Sequence, residues 1–171
     1  MTRDDPARGA PSFTEVVHVH WTAVYRFLHS MTGHTHDTED LTQETFLRAL
    51  NRFAAFQEGT NLRAWLLRIA ANAYFDLRRK RQRAPVKPLE HEPPGKAPAP
   101  EYALETAEQA ELVRAALEEL SDLTRMVFYL RVQEELSFRE IAELAGTTEQ
   151  AARWHMHQAR MRLLKRLEES S

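Results

Sequence analysis

The hydrophobic and polar positions of this chain follow the spacing of α-helices. Apolar residues recur three and four positions apart over two stretches, 12–83 and 105–168, and neither stretch shows the period-two alternation that marks a strand. The first stretch divides into three predicted helices, over 13–31, over 37–53 and from near Asn61 onward. The sequence therefore predicts an all-α fold of two small helical domains.

The predicted helix over 37–53 has one apolar and one polar face. Asp37 is the expected N-cap, and acidic residues follow it where the helix dipole favours negative charge. The residues expected to be buried are Phe46, Ala49, Leu50 and Phe53. The residues left on the exposed polar face are Asp40, Gln43, Glu44 and Arg48.

The predicted helix after Asn61 adds a basic, partly aromatic face. Its expected buried stripe is Leu62, Trp65, Leu66, Ile69, Ala73 and Leu77. A second row, about 120° around the helix from that stripe, is Arg68, Asn72, Phe75 and Arg79. The run RRKRQR from Arg78 to Arg83 extends this surface. Aromatic rings beside cations suit unpaired bases and their phosphates, although a basic helix end is also an ordinary solvated feature.

The C-terminal stretch carries the sharpest local signal in the chain. Ser137-Phe138-Arg139-Glu140 is a capping box that opens a short helix, and Gly146 ends that helix. Thr147-Thr148-Glu149-Gln150 repeats the pattern and opens a longer helix. Two capped helices joined by a tight turn predict a helix-turn-helix. The expected buried positions of its second helix are Ala152, Met156, Ala159 and Leu163.

The outward positions of that second helix suit a DNA major groove. They are Gln150, Arg153, Trp154, His157 and Arg160. Arginine and glutamine make bidentate contacts with base edges, and arginine also binds phosphate. The alternative is that this is the solvated face of an ordinary helical hairpin, a structure that also occurs in many proteins that do not bind DNA.

Proline and charge divide the chain. Six of the eight prolines lie within 85–100, which predicts a linker over 84–104 between domains at 12–83 and 105–168, after a disordered tail over 1–11. The net charge is -2, yet residues 61–88 contain 8 basic and 1 acidic side chains. Because salt at 0.1 M screens the electric field of each charged segment beyond about 10 Å, one basic site can attract phosphate even in a slightly acidic protein.

The residues give no support for an enzyme or a metal site. The chain has no cysteine, no nucleophile elbow and no Gly-rich phosphate loop. The eight histidines include three pairs two positions apart, and on a helix such a pair points its rings about 200° apart. We therefore expect no catalysis, no metal and no cofactor. Without a signal peptide or an apolar run of about 20 residues, a cytoplasmic protein with no membrane insertion is also expected.

Two segments resemble the extracytoplasmic-function sigma factors of the sigma-70 family. HDTEDLTQETFLRALNRFAAF followed by NLRAWLLRIAANAYFDLRRKRQR is similar to region 2 of that family, and ELSDLTRMVFYLRVQEELSFREIAELAGTTEQAARWHMHQARMRLLKRL is similar to region 4. The resemblance implies two helical domains that dock on bacterial RNA polymerase core and direct it to promoter DNA. By family habit it also implies an anti-sigma partner.

The resemblance assigns roles to the exposed faces. It implies polymerase contacts at Asp40, Gln43 and Glu44. It implies capture of unpaired minus-10 bases by Asn61, Arg63, Arg68, Asn72, Phe75, Arg78 and Arg79. The helix-turn-helix face, with Gln150, Arg153, Trp154, His157 and Arg160, is then implied to read the minus-35 element.

Some residues depart from the family pattern, and other functions stay open. Ser121 replaces a usual proline, and Ala152, Trp154, His155 and Met156 stand where Val, Ser, Arg and Leu are usual. Trp154 either contacts DNA or packs into the core. The alternative functions are a stand-alone helix-turn-helix regulator, which binds duplex operators by itself, and a polymerase-binding decoy.

Overall fold

The structure, a computed structural model, describes residues 11–84 and 106–170, and these contain seven α-helices, one 3-10 turn and no strand. The helices of the first part are α1 (Phe13–Thr32), α2 (Thr35–Arg52) and α3 (Leu62–Arg83). Those of the second part are α4 (Ala107–Glu118), α5 (Asp122–Val132), α6 (Phe138–Ala145) and α7 (Glu149–Glu169). The all-α prediction is confirmed for these residues. Nearly all of the predicted tail and linker lies outside them.

Local signals set the ends of α1 and α3. Ser12 and Glu15 form a reciprocal capping box at the start of α1, and Gly33, in the left-handed region with φ of 71°, ends that helix. Asn61 caps α3 by accepting a hydrogen bond from the Ala64 amide at 3.1 Å. These short-range devices explain why pattern alone places α1 and α3 correctly.

Helix α2 differs from the sequence expectation at its start. Its N-cap is His34, which makes no side-chain capping bond, and Asp37 lies within the first turn. The prediction that Asp37 is the N-cap is wrong because its carboxylate is instead bound at 2.7 Å by both terminal nitrogens of Arg81 in α3. That bidentate bond holds the pKa of Asp37 below its usual value.

The buried stripe of α2 is also rotated from the predicted one. Thr38, Thr42 and Thr45 are fully buried, and each hydroxyl donates to the carbonyl four residues earlier at 2.6–2.7 Å. Satisfied in this way, the threonines join the core. Leu50, which was expected to be buried, is therefore turned outward and is 51% exposed.

The C-terminal helices contain the predicted helix-turn-helix. The capping box of Ser137 and Glu140 is present, and Gly146 ends α6 with φ of 65°. The second capping box is not formed, because the N-cap of α7 is Thr148, whose N3 residue is Ala151. The Thr147 amide instead donates to the Ala142 carbonyl and so completes the end of α6.

The two groups of helices pack against each other through a shared core. The ring centroids of Phe27 in α1 and Tyr129 in α5 are 5.5 Å apart, and both side chains are buried. Helix α3 lies against α6 along the same seam. This packing decides which side of α3 faces solvent.

Candidate nucleic-acid interface

Helix α7 presents the residues that the sequence predicted at its surface. The exposed side chains are Gln150, Arg153, Trp154, His157 and Arg160. The opposite side is buried through Ala152, Met156 and Ala159, which pack against α5 and α6. The helix is therefore held by its small and flexible residues and offers its polar and aromatic ones to a partner.

Trp154 lies outside the core. Its side chain is 57% exposed, and its indole meets the His155 ring edge-on with centroids 4.9 Å apart. A large exposed ring beside arginine and glutamine adds apolar contact area to the face that would enter a groove. Of the two expectations for Trp154, the structure supports the surface position.

His155 anchors α7 to α5. Its Nδ1 lies 2.8 Å from the hydroxyl of buried Thr124, which in turn lies 2.8 Å from the hydroxyl of Ser121. Burial lowers the pKa of His155, so the imidazole is neutral near pH 7. Ser121 and His155, two departures from the family pattern, thus belong to one hydrogen-bonded chain that fixes the helix.

The residues predicted to contact the minus-10 element fall into two groups on α3. Arg68, Asn72, Phe75 and Arg79 share one side of the helix, and all are exposed except the half-buried Phe75. Asn61 caps the helix. Arg63 and Arg78 lie about 150° and about 90° away from the middle of the first group at 100° per residue, on the side that faces the C-terminal helices.

Both of these turned-away arginines are held by carboxylates across the seam. Arg63 donates to both oxygens of Glu134, at 2.5 and 3.0 Å, and Arg78 donates to Asp122 at 2.9 Å. Burial raises the pKa of Tyr74 to about 12, and the nearby negative charge of Asp122 adds to the shift. In this arrangement Arg63 and Arg78 join the two groups of helices, and each already has a carboxylate partner.

The basic run at the end of α3 is partly neutralised within the fold. Arg78, Arg79 and Arg81 each bind a carboxylate, whereas Lys80 and Arg83 have no ion pair with the described residues. The local positive field is therefore weaker than the residue count in the sequence implies.

Helix α2 offers a face of different chemistry. Asp40 and Gln43 are exposed as predicted. Leu47, which no sequence pattern singled out, and Leu50, which was expected to be buried, are exposed on the same side. Glu44 is bound to Arg48 at 2.5 Å, so it is only partly available. Exposed leucines beside a carboxylate and an amide are typical of a protein-binding surface.

Sequence reasoning missed the residues whose roles depend on distant partners. Glu134 and Asp122 bind arginines 71 and 44 positions away, and no local pattern marks them. Leu47 and Leu50 were detectable, since three threonines at helical spacing compete for the buried side of α2.

The described residues contain no group of His, Cys, Asp or Glu arranged to hold a metal ion. Among those same residues, no helix is long and apolar enough to cross a membrane.

Comparison with known proteins identifies the two groups of helices. The family model of Sigma-70 region 2 matches residues 16–84, and that of Sigma-70, region 4 matches residues 110–163. The chain is 34% identical over 156 residues to the ECF RNA polymerase sigma factor SigE of Mycolicibacterium smegmatis, covering 90% of this chain and 60% of that one. It is 30% identical over 162 residues to the RNA polymerase sigma factor YlaC of Bacillus subtilis, covering 93% of this chain and 94% of that one.

Solved structures share the fold. The sigma factor RpoE, in complex with the anti-sigma factor NepR from Bartonella quintana, matches with a TM-score of 0.72 at 24% identity, over 91% of this chain and 96% of that one. CnrH, in complex with the cytosolic domain of CnrY, matches with a TM-score of 0.65 at 25% identity, over 93% and 89% of the two chains. By its two family regions and its relatives, the chain belongs to the extracytoplasmic-function sigma factors of the sigma-70 family, the promoter-recognition factors of transcription initiation.

Proposed function

We propose that this chain binds bacterial RNA polymerase core through α2, captures unpaired minus-10 bases on α3 and reads the minus-35 duplex with α7. The polymerase carries out the chemistry, and this chain contributes binding and no catalysis. A cytoplasmic location follows from its two proposed partners, polymerase and promoter DNA.

The observation that supports this proposal is that α2 and α3 expose chemically different faces from one packed unit. The α2 face combines Asp40 and Gln43 with two exposed leucines and suits a protein. The α3 face combines Arg68 and Phe75 and suits stacked bases with their phosphates. Because the faces are separate, polymerase and DNA can be bound at the same time.

Simultaneous binding of both promoter elements requires the two groups of helices to separate. The minus-10 and minus-35 elements lie about 25 base pairs apart, or about 85 Å along B-form DNA at 3.4 Å per base pair. A compact body of this size is only about 40 Å across. The residues between Ala84 and Thr106 can extend to about 75 Å, so the connection is long enough.

A partner that holds the chain away from polymerase is part of the proposal. The sigma factor RpoE is seen in a complex with the anti-sigma factor NepR, and CnrH, which shares the fold, is seen in a complex with the cytosolic domain of CnrY. We propose an anti-sigma factor of the same general role for this chain.

Reconstituted transcription tests the proposal. Core polymerase plus this chain should initiate at specific promoters in a genomic library, and replacing both Leu47 and Leu50 by Ser should weaken core binding at least tenfold because it removes the apolar part of the α2 face. Arg114→Ala, whose ion pairs lie within α4, is the matched control and should leave initiation unchanged.

Two results contradict the proposal. One is that core polymerase with the wild-type chain initiates at no genomic promoter. The other is that the free chain binds a duplex operator as tightly without polymerase as with it, which identifies a stand-alone helix-turn-helix regulator instead.

A further inference from the structure

Four side chains of alternating charge run from α2 to α3. Arg48 donates one terminal nitrogen to Glu44 at 2.5 Å and the other to Asp76 at 2.9 Å. Asp76 accepts from Arg48 with Oδ2 and from Arg79 with Oδ1. Each of the two central groups therefore divides its hydrogen-bonding atoms between two partners.

The two ends of this row lie on the two proposed binding faces. Glu44 is one helical turn from Asp40 on α2, and Arg79 shares the exposed side of α3 with Phe75. The end groups are the more exposed ones, at 45% for Glu44 and 61% for Arg79, whereas Arg48 is 30% exposed. Asp76, the other central group, is 36% exposed, so a partner on either face meets the end of the row more readily than its centre.

We propose that Arg48 and Asp76 are positioning residues that couple polymerase binding to capture of the minus-10 strand. The inference rests on the proposed function, since it takes α2 as the polymerase face and α3 as the DNA face. A cationic group of the polymerase that engages Glu44 leaves Arg48 with Asp76 as its only acceptor.

The geometry of guanidinium and carboxylate groups sets the direction of the coupling. Arg48, released from Glu44, can turn both terminal nitrogens onto both oxygens of Asp76, the bidentate arrangement that is strongest for this pair. Arg79 then shares its acceptor oxygen with Arg48, so its hydrogen bond to Asp76 weakens and its guanidinium becomes more available to a phosphate. Hydrogen bonds from Arg48 and Arg79 hold the pKa of Asp76 below its usual value, so it stays ionised throughout.

Linkage makes the coupling reciprocal. If polymerase raises the affinity for the minus-10 strand by some factor, the strand raises the affinity for polymerase by the same factor. If the row of ion pairs were purely structural, breaking it would change the stability of the chain but not this factor.

The chain supplies its own control. Asp37 and Arg81 also join α2 to α3 through a bidentate ion pair, but that pair touches none of the four residues of the row. Asp37→Asn makes the same change of charge as Asp76→Asn, and both release an arginine at the basic end of α3.

The experiment measures binding of a fluorescent single-stranded minus-10 oligonucleotide to the full-length chain, free and in complex with core polymerase, with core alone as the blank. In Asp76→Asn the free chain should bind the strand more tightly than wild type, because Arg79 is already released. The further increase in strand affinity on adding core, called the gain below, should be at least about fivefold smaller than in wild type. In Asp37→Asn both affinities should change by the same factor, leaving the gain unchanged.

A second variant guards against a simple loss of fold. Arg48→Gln leaves Arg79 as the only cationic partner of Asp76, so the free chain should bind the strand more weakly, while the gain on adding core is again reduced. The two variants should therefore change the strand affinity of the free chain in opposite directions, while both reduce the gain on adding core. Unfolding would not produce this combination. Salt dependence gives a further readout, since a released Arg79 should add about 0.7 to the slope of log affinity against log salt for a single strand.

The outcomes separate the two proposals. Equal gains in wild type, Asp76→Asn and Asp37→Asn, with helical content unchanged, overturn the coupling and leave the proposed function intact. If wild-type chain does not bind core, or its complex with core does not bind the strand, the proposed function itself fails.

Discussion

Trp154 stands on the outer side of α7, among the residues proposed to read the minus-35 element. Trp154→Ala should change the free energy of unfolding by less than about 0.5 kcal/mol, because the side chain is exposed. Affinity of the polymerase complex for a cognate minus-35 duplex should fall about tenfold, since a base-edge contact contributes about 1–3 kcal/mol. Melting curves and promoter titrations measure the two quantities.

The control for this substitution is Val19→Ala, an exposed apolar position on α1. A melting temperature that falls by many degrees in Trp154→Ala, with unchanged promoter affinity, contradicts a DNA role for the indole.

Glu135 carries backbone strain that can be relieved. It has φ of 53°, the left-handed region that favours glycine, and it lies in the turn after α5, where the Leu136 amide donates to the Leu130 carbonyl. Glu135→Gly should therefore stabilise the chain by about 1 kcal/mol, measured by urea denaturation. Gly146→Ala, at φ of 65°, should lower the free energy of unfolding by a similar amount, and equal stability of the two variants contradicts the argument.

At the scale of elements, the anchoring of α7 by His155 predicts that the free energy of unfolding depends on pH. His155 has a lowered pKa because it is buried, so the unfolded chain takes up a proton at this residue at a higher pH than the folded chain does. Its contribution to stability is complete above the unfolded pKa of about 6.5 and is lost as the pH falls through the lowered folded value. The free energy of unfolding should decrease on acidification from pH 7.5 to 5.5.

His155→Asn tests this contribution, since asparagine keeps an acceptor for Thr124 but does not titrate. The variant should lose stability less steeply over the same pH range, as measured by urea denaturation at each pH. The pH dependence of the free energy of unfolding that remains in this variant comes from His20 and His29, whose pKa values are also lowered by burial. An unchanged slope in His155→Asn contradicts the assignment.

At the scale of the whole molecule, the seam between the two groups of helices controls access to Arg63 and Arg78. Glu134→Gln removes the carboxylate that holds Arg63 in a bidentate ion pair, and the Glu134 side chain is only 4% exposed. Losing a charged, nearly buried hydrogen-bond acceptor weakens the seam by about 1–3 kcal/mol. The free variant should open more often and bind a minus-10 single strand several-fold more tightly.

Energy transfer between two dyes measures the opening. Because the chain has no cysteine, single cysteines at Glu58 and Glu143, both exposed, can be labelled without other changes. Transfer should be lower in Glu134→Gln and unchanged in Glu111→Gln, whose ion pair lies within α4. Equal transfer in all three chains contradicts control by the seam.

Prediction from the sequence succeeded best where the determinants are local, although the second predicted capping box, which begins at Thr147, does not form. The capping box at Ser137 and the left-handed glycine at Gly146 act over a few residues, so α6 and the turn after it were predicted in detail. The start of α2 was misplaced because Asp37 is committed to Arg81, 44 positions away. Leu50 was misjudged because buried threonines satisfy their hydroxyls on the helix itself and take the place of apolar residues.

The sequence by itself determined the helical fold, the helix-turn-helix and the family, because periodicity, capping and motif spacing are properties of neighbouring residues. It also determined that Arg68, Phe75 and Trp154 carry suitable chemistry. Only the tertiary structure decided which of the selected side chains are available: it places Arg63 and Arg78 against carboxylates across the seam, and it turns Leu47 and Leu50 outward. The physical reason is that ion pairing and burial depend on distance in space, which residues far apart in the chain acquire only on folding.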